Sequence, residues 1–245
     1  MRLILATGLA AVAMTSAAHA AGYSGFVGLS GTHLEANDGT LDSDATTLTG
    51  SLAFDLRGRF QTQVDAEISD VDGADDTVYG GTIHVVRRAA SGWMLGGFVG
   101  AVAQGDVSTT SAGLEAAVYL HRFTIAGAAG YVDSDDVDGD GALAQVEGRF
   151  FVDRNFRLDA AATFATFNTS VGDFDATALS IGGEYKFSGS AFSLYGGYTN
   201  LDTDIDDATA DVVTLGVRVN WDEDLLARDR RGASLLRVGD FASLF

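Results

Sequence analysis

The chain contains neither cysteine nor proline in its 245 residues. Without cysteine, disulfides and thiolate metal sites are excluded, so strand pairing and packing must hold the fold together. Proline removes hydrogen bonds from a β-ladder, and its absence fits a chain made mostly of paired strands. Beyond residue 20, no apolar run reaches the roughly 18 residues expected of a membrane-spanning helix.

Basic residues are also scarce. There are 15 lysines and arginines against 34 aspartates and glutamates, which gives a formal net charge of −19. Phosphate binding requires a basic face, so this balance argues against a nucleic-acid partner.

The first 20 residues have the composition of a secretory signal. A single basic residue, Arg2, precedes an apolar stretch over 3–14, and the small-residue site Ala18-His19-Ala20 follows. This pattern predicts cleavage before Ala21 and therefore an exported protein.

Between residues 21 and 221 the chain alternates apolar and polar residues in segments of about ten, as β-strands with one apolar face do. The count is twelve, within about two, and an even number places both ends of the sheet on the same side. The predicted strands are 23–34, 47–57, 60–69, 77–87, 93–103, 110–120, 123–132, 142–152, 156–167, 176–187, 192–200 and 212–221.

The connections between these strands are of two alternating kinds. One kind is short and basic or neutral, whereas the other is longer and together carries 21 acidic residues with no lysine or arginine. A soluble β-sandwich, the alternative fold, has no reason to sort its loops in this way. An open sheet cannot cross a bilayer, so the fold class predicted is an all-β, antiparallel, up-and-down transmembrane barrel.

An aromatic residue begins every strand that follows a short turn, and the two ends of the barrel carry aromatics as well. Such a ring of side chains is expected at a membrane interface. Its members are Tyr23, Phe60, Trp93, Phe123, Phe156, Phe192 and Trp221.

The last predicted strand resembles the assembly signal of Gram-negative outer-membrane β-barrel proteins, in particular small porin-like ones. Thr214, Gly216, Val219 and Trp221 fill the places of its polar residue, glycine, apolar residue and terminal aromatic. The resemblance covers 21–221 and implies an outer-membrane location among lipid and lipopolysaccharide. It also implies insertion by the barrel assembly machinery and periplasmic termini. Larger porins are commonly trimers, and the sequence leaves open whether this chain forms a homo-oligomer.

The sequence departs from that family after residue 221, because 24 further residues follow the signal. Three arrangements of 222–245 are open: an amphipathic helix at the periplasmic rim, a plug folded into the lumen, or a disordered extension. The sequence favours a charged periplasmic tail for 222–245.

Alternation assigns charges of both signs to the inner face of the barrel. The predicted pore-lining residues are Asp65, Glu67, Glu115, Glu147, Arg149, Asp159, Glu184 and Arg218. Strands seven, nine and eleven turn mostly small residues inward, which should leave water-filled space. These features predict a narrow passage for small hydrophilic solutes or ions, and the acidic outer loops predict a mild preference for cations.

One acidic loop resembles the start of a calcium site. Asp136, Asp138 and Asp140 have the spacing of the first ligands of an EF-hand, and Glu147 falls at the position of its last ligand. Glu147 lies on a predicted strand, so a full EF-hand does not form. A smaller calcium site remains a prediction, and no other cofactor is expected.

Two other functions are alternatives. A structural or adhesive barrel would act through its acidic outer loops. A hydrolase would need a base beside a nucleophile, and the only candidate is His33 with Glu35 near the outer rim. No Gly-x-Ser-x-Gly motif is present, so the prediction is that the chain is not an enzyme.

Overall fold

The computed structural model describes residues 23–37, 41–56, 60–74, 76–134, 139–169, 172–204, 208–231 and 235. It contains twelve strands followed by one short helix, α1. The bounds are β1 Ser24–Ala36, β2 Leu41–Asp55, β3 Phe60–Val71, β4 Val78–Ala89, β5 Trp93–Gln104, β6 Val107–Tyr119, β7 Phe123–Ser134, β8 Gly139–Phe151, β9 Phe156–Thr169, β10 Gly172–Lys186, β11 Phe192–Thr203, β12 Thr209–Asn220 and α1 Leu225–Arg231.

Each strand pairs antiparallel with its neighbours in sequence, and β1 pairs with β12 to close the barrel. The closing register places Phe26 opposite Asn220 and continues to Ala36 opposite Ala210. Closure leaves no unpaired strand edge, which is the condition for a sheet to lie in hydrocarbon. The predicted fold class and the count of twelve strands are confirmed.

The barrel is inside-out relative to a soluble protein. Leu114 and Leu215 are 70 % and 69 % exposed on the outer face, whereas Glu184 and His84 are 1 % and 0 % exposed on the inner face. A soluble sandwich would bury its apolar rows between two sheets. Here those rows form the outer surface, which fits a lipid-facing wall.

The strands are longer than the sequence predicts at the acidic end. β2 begins at Leu41 rather than at residue 47, and β10 begins at Gly172 rather than at 176. Much of the predicted long loops is therefore paired strand, as where Glu35 lies opposite Asp42. These segments are polar, so apolar and polar residues hardly alternate in them. The alternation therefore stops before the hydrogen-bonded strand pairing does.

The aromatic ring lies at the short-turn end of the barrel. Tyr23, Phe60, Trp93 and Phe192 are 40–52 % exposed there. Trp221 differs, because it is only 7 % exposed. Its indole packs over Gly25, where an added Cβ would lie 2.6 Å from the ring. Trp221 therefore belongs to the closing seam rather than to the exposed ring.

The sequence of strand β5 is apolar on both faces. The structure shows which face points outward and which points into the lumen. Leu95 and Val99 are exposed outward, whereas Met94, Phe98 and Val102 are buried on the inner face. The apolar inner row means that the lumen wall has an apolar sector as well as a charged one. Among the described residues, no helix has the length and apolar character needed to cross a membrane.

Gly216 on β12 has a specific packing role. An added Cβ would lie 2.5 Å from Cζ of Tyr195 and 2.7 Å from the carbonyl oxygen of Leu29. The absent side chain lets the Tyr195 ring fold against the wall beneath the Arg218 guanidinium, 3.7 Å from the ring centroid.

We expect Gly216→Ala to destabilise the barrel by about 1–3 kcal/mol, because the new methyl group must displace a ring or a strand backbone. Urea unfolding of in vitro refolded protein in detergent micelles measures this without the assembly machinery. Gly31→Ala is the matched control on the neighbouring strand, since nothing lies within 4 Å of its added Cβ. Equal unfolding midpoints for the two variants would contradict the packing role.

Candidate functional site: the barrel lumen

The structure places the eight predicted pore-lining residues on the inner face of the barrel. Asp65, Glu115, Glu184, Arg149 and Arg218 are buried, and Glu67, Glu147 and Asp159 are half-buried. Their part in permeation remains a prediction. What the structure adds is how these charges pair.

The first group of charges is a histidine cluster on β3, β4 and β6. His84 Nδ1 lies 2.9 Å from Glu115 Oε1, and His84 Nε2 lies 3.1 Å from Asp65 Oδ2. Gln63 Nε2 donates to the other Asp65 oxygen at 3.0 Å. The cluster is buried, so each carboxylate needs these partners to offset the loss of hydration.

The second group is an arginine cluster centred on Glu184. Arg218 Nη1 and Arg228 Nη2 donate to Glu184 Oε2 at 2.6 and 2.5 Å. Arg157 Nη2 lies 3.8 Å from the same oxygen, and Ser193 Oγ donates to Oε1 at 2.6 Å. One buried carboxylate thus joins β9, β10, β11, β12 and α1.

The third group lies on β8. Arg149 Nε donates to Glu147 Oε1 at 2.7 Å, and Arg149 Nη1 donates to Asp229 Oδ1 of α1 at 2.9 Å. Thr124 Oγ1 donates to the other Asp229 oxygen at 2.7 Å. Burial disfavours the charged carboxylate, but attraction to Arg149 and Arg230 and the hydrogen bonds from Thr124 and Arg149 together outweigh burial and hold the pKa of Asp229 below its ordinary value.

The chain turns into the lumen directly after β12. Asp222 Oδ2 accepts hydrogen bonds from Ser24 Oγ at 2.9 Å and from the Gly25 amide at 3.0 Å. Burial raises the pKa of Asp222 despite these bonds. Asp222 therefore lies inside the end of the barrel, against β1. The periplasmic tail over 222–245 as a whole remains a prediction, because only 222–231 and 235 lie among the described residues.

Helix α1 has the local signals of a short helix. Asp224 caps it, because its Oδ1 accepts the Ala227 amide at 2.7 Å. Its last turn carries Arg228, Arg230 and Arg231, which suit the negative end of the helix dipole. Seven residues are too few for a helix to be stable alone in water. Its contacts with the barrel must therefore supply most of its stability.

These contacts reach opposite walls of the lumen. Arg228 Nη1 donates to Asn220 on β12, and the Arg230 guanidinium lies 4.9 Å from the ring centroid of Tyr119 on β6. In a closed barrel of twelve strands, β12 and β6 face each other across the diameter. Arg154 and Arg88, near the short turns, also bind the segment. The segment thus crosses the lumen at the short-turn end.

An apolar contact completes this end of the lumen. Leu235 packs against an inner-wall cluster of Val86, Met94, Ala117, Tyr119 and Ala126. Between this cluster and the third charged group lies a cavity of about 20 Å³, enough for about one water molecule. Met94, on the apolar inner row of β5, therefore belongs to the cluster that contacts Leu235 of the C-terminal segment.

The other predicted site residues lie apart from the lumen charges. Asp136 and Asp138 are outside the described residues, and Asp140 pairs in register with Asp133 on β7. Within the described ranges, no group of three or more candidate ligands could hold a metal ion, and the calcium site remains a prediction. His33 bonds to Asp44 at 2.9 Å rather than to Glu35.

Several residues of the lumen could not be assigned to it from the sequence. Phe26 lies under Arg218 and Arg228, with its ring centroid 4.7 and 5.0 Å from their guanidinium carbons. Asp222, Arg228 and Asp229 were assigned to a tail. The available signal for α1 was Asp224 followed by Leu225-Leu226-Ala227, a cap before helix-forming residues.

The fold and lumen define a class, namely closed twelve-stranded barrels of the outer-membrane type with a charged interior. No family model and no curated protein matches the chain. Among solved structures it is similar to the COG4313 outer membrane channel from Pseudomonas putida F1 (TM-score 0.58, 11 % identity, covering 81 % of this chain and 94 % of that one). It is also similar to the NanC porin (0.57, 8 %, 77 % and 98 %) and to the KdgM porin in complex with disordered oligogalacturonate (0.56, 7 %, 78 % and 98 %). The chain has the fold of small porin-like outer-membrane barrels.

The arginine cluster allows a direct test of how much the lumen charges contribute to the free energy of unfolding. We expect Glu184→Gln to destabilise the barrel by about 3–5 kcal/mol, because it leaves three arginine side chains around a neutral group. Urea unfolding in detergent micelles measures the loss. Asp173→Asn, at the exposed end of the same strand, makes the same type of change and should leave the midpoint nearly unchanged. A stable Glu184→Gln protein would show that the cluster contributes little.

Proposed function

We propose that the chain is an outer-membrane channel for passive diffusion of small hydrophilic solutes or ions, with a mild preference for cations. The main observation in support is the closed barrel, in which apolar side chains point outward and charged side chains point inward. In this proposal the acidic end faces outside, and the short turns and α1 face the periplasm. Outer-membrane lipid and lipopolysaccharide surround the wall, and the barrel assembly machinery inserts it.

Small inward side chains support a passage along the barrel. Ala128, Thr163, Ala165 and Ser193 are all small side chains buried on the inner face. A twelve-stranded barrel encloses more space than the eight strands whose interior side chains can fill. Water and small solutes can occupy that space wherever α1 does not.

The acidic end supports the preference for cations. Exposed carboxylates lie there with no lysine or arginine in the same connections. They focus a negative potential at the entrance, and salt screens it. Those among the described residues are Glu35, Asp42, Asp44, Asp70, Asp72, Asp76, Asp106, Asp133, Asp173, Asp175, Asp202, Asp204 and Asp211.

A structural or adhesive barrel is the second candidate, and the position of α1 favours it. A lumen that is crossed permanently by a helix would conduct nothing, and the acidic end would then carry the function. Conductance separates the two candidates. A hydrolase is the weaker alternative, because His33 is half exposed at the rim and bonds to aspartates.

In planar bilayers we expect the full-length mature chain to give discrete conductance steps whose reversal potential in a KCl gradient indicates cations. Asp159→Asn removes a half-buried lumen carboxylate and should lower that preference. Asp153→Asn, in an exposed short turn, is the matched control. The preference should weaken as salt rises. Complete absence of steps would exclude the channel, and anion selectivity would exclude the preference.

A further inference from the structure

The C-terminal segment is held by the barrel more than by itself. Helix α1 has seven residues, and helices of that length do not persist alone in water. Arg228 and Asp229 are each 1 % exposed, and both bond to charged residues of the wall. The lumen wall is therefore a docking surface with a specific occupant, residues 223–231 and Leu235 of the same chain.

The wall does not depend on this occupant for charge balance. Arg149 also bonds to Glu147, and Glu184 also bonds to Arg218 and Ser193. The histidine cluster pairs within the wall, where His84 lies between Asp65 and Glu115. Removing α1 would leave Glu184 and Arg149, the two buried wall charges that Arg228 and Asp229 bind, each with an opposite charge of the wall beside it. A buried ion pair is costly to break chiefly when one charge is left unpaired.

We propose that residues 223–231 are a releasable plug that closes the channel at the short-turn end while the barrel stays folded. This inference rests on the proposed channel function. The segment lies across the lumen because Arg228 contacts β12 and Arg230 contacts β6 on the opposite wall. It can leave because Arg228 and Asp229 regain water as the wall charges keep their partners.

The segment remains tethered after release. Asp222 lies next to the end of β12 and is bonded to Ser24 and Gly25, so the bonds inside the lumen can break while this anchor holds. The plug therefore stays close to its docking surface and can return. Full-length chain should open rarely, and a weakened plug should open often.

The first test weakens docking by a single charge. Asp229→Asn removes the carboxylate that binds Arg149 and Thr124, and we expect a several-fold rise in open probability in planar bilayers. Glu223→Gln removes the same charge from an exposed position in the same segment and should leave open probability as in the unmodified chain. Unfolding midpoints check that both barrels are intact.

The second test fixes the plug covalently. Thr124 Oγ1 and Asp229 Oδ2 are 2.7 Å apart, and the chain has no cysteine, so Thr124→Cys with Asp229→Cys gives a unique pair. We expect the oxidised protein to lose its conductance steps and the reduced protein to regain them. Each single variant should conduct in both redox states.

The outcomes separate this inference from the channel itself. Equal open probability in all variants, or steps that persist after the disulfide has formed, would overturn the plug and leave the channel standing. Failure of the disulfide to form in folded protein would overturn the docked position. Absence of steps from every protein, including Asp229→Asn, would overturn the channel and with it the closure.

Discussion

A charged side chain that is buried on the inner face of this barrel loses hydration, and other lumen groups must replace it. Glu184 shows how the fold meets that constraint, because its carboxylate joins arginines from β12 and α1. A buried carboxylate without such partners would lose its hydration with nothing to replace it. The inner face therefore alternates carboxylates with guanidinium groups, and the C-terminal segment docks where it can join that pattern.

The fold could be predicted largely from the sequence because the period of two assigns faces directly. Twelve apolar rows and one aromatic per hairpin were enough to indicate a closed barrel. Strand ends were missed where both faces are polar, as at Leu41, which begins β2. Trp221 was assigned to the aromatic ring because sequence alone cannot show that Gly25 leaves room for its indole in the seam.

The candidate site was only partly predictable. Alternation placed Glu184 and Arg218 on the inner face, but their pairing spans β11, where Ser193 lies opposite Arg218 and also donates to Glu184. Partners on strands that are not adjacent depend on the strand register and on side-chain length. Neither the register nor the resulting contacts can be derived from composition. The tail was ambiguous for another reason. A segment with nearly balanced charges can lie in water or in a charged lumen, and only the positions of Arg228 and Asp229 relative to the wall decide.

The docked helix links fold to function. An open charged lumen fits a channel, and the same lumen occupied by α1 fits a closed one. In the proposed opening, the seven helical residues change place, and Glu147–Arg149 and Arg218–Glu184 keep their ion pairs.

Amide hydrogen exchange over residues 225–231 in the folded, bilayer-embedded protein tests this account most directly. The Leu226 amide bonds to the Arg154 carbonyl of a short turn, and the Ala227 and Arg228 amides bond to Asp224, so exchange of these amides should be slow compared with a free peptide. Glu184→Gln should speed it while the strands stay protected. Exchange at the rate of the free peptide in the unmodified protein would contradict a docked C-terminal segment.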